Sequence, residues 1–235
     1  MSHIAQNLRE ILARINDACL KANRNSGAVK LLAVSKTQSS QAIRDAISEG
    51  QREFGENYLQ EAIEKINELQ EVRGEITWHL IGPLQSNKTR PAAENFDWVQ
   101  SVDREKIAQR LSEQRPDSLK PLNVCVQINI SGESSKSGVS PEDALMLCEI
   151  VARLPKLNLR GLMAIPEPGA NNMSLSSMHQ LFDNIKLSLS EKSLAPDFDT
   201  LSLGMSDDLE EAIAAGSTMV RIGTAIFGKR QYKTT

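Results

Sequence analysis

Eight short apolar runs alternate with longer helix-like stretches along this chain, and this alternation limits its fold more than any other feature. The runs lie at residues 30–35, 53–55, 77–81, 98–101, 123–130, 159–165, 200–204 and 218–223. Between them, apolar residues recur with helical spacing, as at Ala42, Ile43, Ala46 and Ile47. Short strands that alternate with helices predict parallel βαβ units.

Eight strands after one extra N-terminal helix predict a closed (β/α)8 TIM barrel of the α/β class. The alternative is an open doubly wound sheet, in which residues 53–55 and 98–101 would be loops. Within residues 1–25, apolar residues at helical spacing are interrupted by charges, which indicates an amphipathic helix and not a secretory signal. We expect one domain over residues 1–235, with a tail at residues 229–235.

Composition excludes several classes of protein. The chain has 27 Lys and Arg against 30 Asp and Glu, a net charge of −3, and this balance argues against a nucleic-acid surface. No apolar run is long enough to cross a bilayer. The three cysteines form no C-x-x-C pair and the three histidines lack ligand-like spacing, so we expect neither a disulfide framework nor a metal site. The cytoplasm is the expected compartment.

The loops after the last two runs have the composition of an anion site. Gly204 and Gly223 lack a Cβ, so their backbone can approach a ligand closely and adopt unusual dihedral angles. Ser206 and Thr224 add hydroxyl groups, and a helix start after each would offer free N–H groups to a phosphate. Such loops are frequent phosphate sites in this architecture. The alternative for Ser206 is a plain helix N-cap, and we place the acidic pair at positions 207 and 208 on the outer helix surface.

Lys36 directly follows the first apolar run. A lysine at this place points either to solvent or into the mouth of the barrel. Pointing inward, it would be a desolvated amine that can form a Schiff base. An inward lysine beside a phosphate site suits a phosphosugar, an aldolase substrate or pyridoxal 5′-phosphate (PLP).

Arg221 stands two residues before Gly223, so strand alternation places both on the inward face. An interior arginine needs a partner, and a ring nitrogen that accepts a hydrogen bond is one. The alternative is an ion pair with an interior carboxylate, for which the strands offer Asp199 and Glu53. We expect no acidic residue to end a strand beside Lys36, which disfavours an aldolase or a phosphosugar isomerase.

Six motifs in register carry a resemblance to a known family. They are AVSKT at residues 33–37, FGENY at 54–58, HLIGPLQSNK at 79–88, GLMAI at 161–165, LSLGMSDDLEEAI at 201–213 and VRIGTAIFG at 220–228. The chain resembles the pyridoxal-phosphate homeostasis protein family, also described as proline-synthase-co-transcribed homologues. The resemblance implies the alanine-racemase-type N-terminal barrel, PLP fold type III, without the second domain.

The resemblance also implies PLP as the cofactor, with these binding residues: Lys36, Asn57, Ser206, Arg221, Gly223 and Thr224. Lys36 would carry PLP as an internal aldimine. Ser206, Gly223 and Thr224 would hold the phosphate. Arg221 would face the pyridine nitrogen, and Asn57 would contact the polar edge of the ring. His79 and Met163 either line the pocket or pack the core.

The family is regarded as a carrier or regulator of PLP with no established activity, so we expect no catalytic residues. An arginine does not keep the pyridine nitrogen protonated, which weakens the ring as an electron sink. We also expect no second domain to supply an acid–base group. The alternative function is a low-activity PLP-dependent amino-acid racemase. The expected partners are PLP and PLP-dependent apo-enzymes, with the chain a monomer, and Lys136 is either a relay for the aldehyde or a solvated loop lysine.

Overall fold

The structure is a computed structural model that describes residues 3–130, 137–165 and 172–228. Eight parallel strands close into a barrel in chain order, and each pairs with the next. The strands are β1 (Lys30–Val34), β2 (Glu53–Glu56), β3 (Thr77–Leu80), β4 (Trp98–Val102), β5 (Leu122–Ile128), β6 (Leu157–Ala164), β7 (Thr200–Ser202) and β8 (Met219–Ile222). The predicted TIM barrel is confirmed. The open sheet is wrong, because β2 and β4 are both paired on two sides.

Helices follow the strands and cover the outside of the barrel. They are α1 (His3–Lys21), α2 (Ser40–Ser48), α3 (Leu59–Glu68), α4 (Thr89–Asn95), α5 (Glu105–Gln114), α6 (Ala144–Arg153), α7 (Asn172–Glu191), α8 (Leu209–Ala214) and α9 (Thr224–Phe227). Short 3₁₀ turns occur at Gln70–Val72 and Ser86–Lys88. Within the described residues, no helix combines the length and the apolar character needed to span a membrane.

Helix α1 precedes the first strand, as predicted, and ends at Lys21. Its apolar stripe is buried at Ile4, Leu8, Ile11 and Ile15. This helix contacts α8 and α9, so the N-terminal residues pack beside the last elements of the barrel. The contact buries the face that the sequence pattern identified as apolar.

The core has two layers. The larger layer lies between the strands and the surrounding helices. Inside the barrel, Leu32, Val34, Ile81 and Met219 form one apolar cluster, and Trp98, Cys125 and Met163 form a second. Buried polar side chains share this interior with them. A barrel interior is ordinarily filled by branched apolar residues, so the polar ones need an explanation.

Candidate functional site

The predicted site residues come from four consecutive strands of the barrel wall, β7, β8, β1 and β2. Lys36 follows β1, Asn57 follows β2, and Arg221 lies within β8. The register pairs Val34 of β1 with Gly55 of β2 and Ala33 with Ile222 of β8. The residues after β7 and β8 complete the same rim. Parallel strands therefore bring all six predicted residues to the carboxyl end of the barrel, where such barrels place their chemistry.

Lys36 is half-buried at this rim. Val34, two residues before it, faces the barrel interior. The next residue, Thr37, adopts a left-handed backbone conformation with φ 63°, which is uncommon for a residue with a branched side chain. Among the described residues, the buried Thr37 Oγ1 has no hydrogen-bond partner. The loop is thus held in an unusual conformation beside an unsatisfied polar atom, a pattern associated with functional sites.

A buried ion network behind the barrel wall fixes both neighbours of Lys36. Lys65 Nζ donates to the Ser35 carbonyl at 2.7 Å, to Glu56 Oε1 at 2.8 Å and to Glu61 Oε1 at 2.6 Å. Ser35 Oγ donates to Glu56 Oε1 at 2.6 Å, and the Thr37 amide donates to Glu61 Oε1 at 2.5 Å. We call Lys65, Glu56 and Glu61 the outer network. It anchors the backbone on each side of Lys36.

The outer network corrects one expectation. An acidic residue does end a strand beside β1, because β2 finishes at Glu56. Its side chain is fully buried and contacts Lys65 of α3, so it lies on the helix side of the wall. Burial raises the pKa of Glu56, and the Lys65 charge opposes that rise.

Asn57 is half-buried immediately after β2. Its Oδ1 is buried and, in the described part of the chain, accepts no hydrogen bond. A buried amide oxygen without a donor costs free energy unless a ligand or water supplies one. Asn57 is therefore suited to receive a donor from a molecule bound at the rim.

Two different structural features favour glycine at the two predicted glycine positions. Gly204 has φ 97°, and a Cβ there would lie 2.5 Å from the Ala212 Cβ, so the position excludes other residues. Gly223 has a negative φ of −118° with ψ −77°, so it does not need the left-handed region that Gly204 occupies. A Cβ on Gly223 would lie 3.1 Å from the Val34 carbonyl oxygen. The close approach of β8 to β1, and not the φ angle, is what favours glycine there.

Ser206 does not cap a helix. Helix α8 begins at Leu209 with Asp208 in the N-cap position, so the alternative assignment of Ser206 is wrong. Asp208 Oδ1 accepts the Met205 amide at 2.6 Å and closes the loop. The outward placement of the acidic pair holds for Asp207, which is exposed, but not for Asp208, which is half-buried. The Ser206 hydroxyl is therefore not used to cap α8.

Thr224 is the first residue of α9, and Gly223 is its N-cap. The Gly223 carbonyl accepts the amides of Ile226 and Phe227 at 2.9 and 3.0 Å. The first amides of a helix have no intrahelical acceptor. With the hydroxyl groups of Thr224 and Ser206, they form a set of donors suited to an anion.

Arg221 lies inside the barrel and is 5% exposed. Its Nη1 donates to the Ser202 carbonyl at 2.7 Å and to Ser202 Oγ at 2.9 Å, and its Nη2 donates to the Ala164 carbonyl at 2.7 Å. Burial lowers the pKa of Arg221 to about 10, with Asp208 opposing the change, so the guanidinium stays charged at neutral pH. Three of its five N–H groups are engaged within the described residues, which leaves Nε–H and one Nη2–H as donors.

His79 and Met163 belong to the barrel interior, where both are fully buried. The His79 ring stacks on Trp98 with 5.0 Å between ring centroids. His79 also contacts Glu53 and Gln100 through its two ring nitrogens. Both residues thus pack in the barrel interior, and His79 also takes part in buried hydrogen bonds. Lys136 and residues 229–235 lie outside the described residues.

The cysteines take no part in this rim. Cys19, Cys125 and Cys148 are free and buried. Burial raises the pKa of Cys148 to about 12, so its thiol is not nucleophilic at neutral pH. In the three described ranges, no group of His, Cys, Asp and Glu has the geometry to hold a metal ion.

The sequence reading missed several polar residues that support the site. These are Glu56, Glu61, Lys65, Gln100 and Ser202. Gln100 and Ser202 could have been found from the sequence, because each is a polar residue at an inward position of a predicted strand. The sequence does not indicate that Lys65 is buried, since a lysine on an amphipathic helix ordinarily lies in solvent.

The rim therefore combines an amine, a buried guanidinium with two available donors, an amide and two loops that carry hydroxyl groups. This set suits a phosphorylated aldehyde whose ring carries a hydrogen-bond acceptor. Comparison with known proteins agrees with this reading. The family model for the alanine racemase N-terminal domain matches residues 2–231. The alanine racemase of Corynebacterium glutamicum shares the fold at 15% identity, with a TM-score of 0.71 over 99% of this chain and 62% of that chain.

Fold and rim thus define a barrel of the alanine racemase N-terminal class. A pyridoxal phosphate homeostasis protein from Pseudomonas aeruginosa is 57% identical over 99% of this chain and 98% of its own. PipY from Synechococcus elongatus, solved with PLP bound, is 35% identical and covers 96% of this chain and 100% of its own, with a TM-score of 0.77. The chain belongs to the pyridoxal phosphate homeostasis protein family.

Proposed function

We propose that this protein binds PLP through an internal aldimine on Lys36 and takes part in the homeostasis of the cofactor in the cytoplasm. Arg221 carries the proposal. It is a buried guanidinium with two donors available at the barrel end that also presents Lys36. PLP offers an aldehyde to the lysine and a ring nitrogen that can accept a hydrogen bond from the arginine. The PLP-bound structure of the related PipY supports the same ligand.

The remaining rim residues have complementary roles in this proposal. Ser206, Gly223 and Thr224 receive the phosphate, because hydroxyl groups and free helix amides favour an anion. Asn57 receives a donor from the polar edge of the ring at its buried Oδ1. Each of these groups lies at the same barrel end as Lys36.

We propose that the protein stores PLP and supplies it to apo-enzymes, and does not turn over amino acids. PLP supplies an electron sink when its ring nitrogen is protonated, and an arginine donor opposes that protonation. Tyr58, a possible acid–base group, is exposed at the rim. The names of the related proteins, which describe homeostasis, support the same function.

The test has two arms on the purified protein. PLP titration should produce the absorbance band of a protonated Schiff base, whereas free PLP retains its aldehyde spectrum. The loaded protein is then incubated with L-alanine in deuterated water. We expect transfer of PLP to an apo-enzyme with α-deuteration slower than ordinary turnover by about 10²–10⁴-fold, the effect of a missing acid or base. Deuteration at about 1–10³ s⁻¹ would show an enzyme instead.

A further inference from the structure

A continuous chain of buried hydrogen bonds runs through the barrel from Arg221 to Glu53. Ser202 Oγ, which accepts from Arg221, lies 2.7 Å from Gln100 Oε1. Gln100 Nε2 lies 2.9 Å from His79 Nδ1, and His79 Nε2 lies 2.6 Å from Glu53 Oε2. Ser202, Gln100 and His79 are fully buried. We call these five residues the inner chain.

The hydrogen bonds of the inner chain are consistent with one direction, from Arg221 toward Glu53. A guanidinium can only donate, and an ionised carboxylate can only accept. Ser202 accepts from Arg221, so its hydroxyl proton goes to the Gln100 carbonyl oxygen. The Gln100 amide then donates to His79 Nδ1, and His79 carries its proton on Nε2 and donates it to Glu53. All donors point the same way.

Glu53 is the carboxylate at the far end of the inner chain, whereas Asp208 is the acidic residue whose charge acts on Arg221. Within the described residues, Arg221 forms no ion pair, and each of its protein acceptors is neutral. Glu53 opens β2 at the opposite end of the barrel, with its side chain 25% exposed. Burial opposes its ionisation, but the His79 hydrogen bond and the charges of Lys30 and Arg160 leave the pKa of Glu53 below its ordinary value. The expected alternative, an ion pair of Arg221 with Asp199 or Glu53, is therefore wrong within the described residues, where these carboxylates pair with Arg160 and His79.

We propose that Ser202, Gln100, His79 and Glu53 are positioning residues for Arg221, which together make the site select an unprotonated, hydrogen-bond-accepting ring nitrogen. The proposal rests on the proposed binding of PLP. The inner chain fixes the orientation of the Arg221 guanidinium, and with it the direction of its remaining N–H groups. The arginine can then only donate to a ring, and a ring that carries its own proton is rejected.

The test measures discrimination between two ligands. One is PLP, and the other is a PLP analogue in which C–H replaces the ring nitrogen. The wild-type protein should bind PLP about 10- to 100-fold more tightly, the range of one hydrogen bond to a charged group. Ser202→Ala interrupts the inner chain and should reduce this preference by about fivefold, a coupling typical of residues in one network.

The matched control is Ser101→Ala. Ser101 is equally buried and adjoins Gln100, but no hydrogen bond of its Oγ is present in the described part of the chain. The same chemical change there should leave the preference for PLP unaltered. Equal preferences in the Ser202 and Ser101 variants would overturn the positioning role.

Glu53→Gln tests the far end of the inner chain, in case the Ser202 variant does not fold. The amide keeps a hydrogen-bond acceptor for His79 and removes only the charge. It should also reduce the preference for PLP, whereas Asp199→Asn should not. Asp199 is a carboxylate at the same barrel end that pairs with Arg160 and lies outside the inner chain. Equal preferences in the two variants would contradict the proposal.

A second measurement needs no cofactor. Nitrogen-15 NMR of the histidines in unloaded protein should show a proton on His79 Nε2, with Nδ1 as a hydrogen-bond acceptor. A proton on Nδ1 would reverse the direction of the inner chain and overturn the proposal. Failure of the wild-type protein to bind PLP would instead reject the proposed function, and the His79 result would still stand.

Discussion

Two buried charged networks lie on opposite sides of the barrel wall. They differ in whether the cation contacts a carboxylate directly. In the outer network, Lys65 contacts the carboxylates of Glu56 and Glu61 directly, at 2.8 and 2.6 Å. In the inner chain, the side chains of Ser202, Gln100 and His79 separate Arg221 from the carboxylate of Glu53. One network is a compact ion cluster, and the other is an extended relay of hydrogen bonds.

The difference shows which cation is available to a ligand. The three protons of Lys65 meet three acceptors, so its amine is saturated and its lone pair is not accessible. Arg221 contacts only neutral acceptors among the described residues and keeps two donors for the rim. Lys65 thus holds the backbone around Lys36, whereas Arg221 keeps donors for the proposed ligand. This saturation excludes Lys65 as a nucleophilic amine, and Lys36 stays the proposed carrier.

Removal of Lys65 should have the largest effect on stability. Lys65→Met leaves Glu56 buried without its cation, and breaking a buried ion pair costs about 3–5 kcal/mol. The free energy of unfolding, measured by urea denaturation, should fall by this amount. Lys106→Met on the exposed face of α5 is the control and should stay within about 0.5 kcal/mol of wild type. A Lys65 variant as stable as this control would show that the outer network does not hold the loop.

Ser206 and Thr224 belong to neither network, and their predicted effect is confined to the phosphate. Ser206→Ala combined with Thr224→Val should weaken PLP binding by about 1.5–3 kcal/mol for each lost charge-assisted hydrogen bond. Binding of unphosphorylated pyridoxal should change little. Titration of both ligands against both proteins gives the comparison. Equal losses for the two ligands would remove these residues from the phosphate site.

The smallest effect is expected at the solvent end of the inner chain. Glu53→Gln should destabilise the unloaded fold by on the order of 1 kcal/mol at neutral pH, because His79 keeps an acceptor and only charge is lost. The lowered pKa of Glu53 means that its ionised form stabilises the fold above the ordinary carboxylate pKa. The difference from wild type should therefore disappear as pH falls below about 4. If the stability difference between Glu53→Gln and wild type grew as the pH fell, the pKa of Glu53 would not be lowered in the folded protein.

The local pattern of apolar residues along the chain was sufficient to predict the barrel. Each of the eight apolar runs became a strand, with ends displaced by a few residues. The shortest run, at residues 53–55, carried little information of its own. It was identified as a strand because an eighth strand was needed to close the barrel. Periodicity reports which face of a segment is buried, and the βα alternation then limits the topology.

The polar networks could not be predicted in the same way. Lys65 and Glu61 occupy ordinary positions on an amphipathic helix, and only the packing of α3 on β1 and β2 buries the lysine. The half-buried Asp208 and the ordinary φ of Gly223 also depend on how the last two loops pack. The Lys65–Glu61 pair is local, at i,i+4, but the burial of Lys65 and its contact with Ser35 depend on tertiary packing, which no local pattern encodes.

Chemical trapping of the bound cofactor tests the central claim most directly. The PLP-loaded protein is reduced with borohydride, digested and analysed by mass spectrometry to identify the lysine that carries the pyridoxyl group. We predict modification at Lys36, and none in a Lys36→Ala variant, which should keep its fold because a half-buried rim lysine contributes little to packing. Modification at Lys65 or Lys136 in the wild-type protein, or an unchanged yield in Lys36→Ala, would contradict the account.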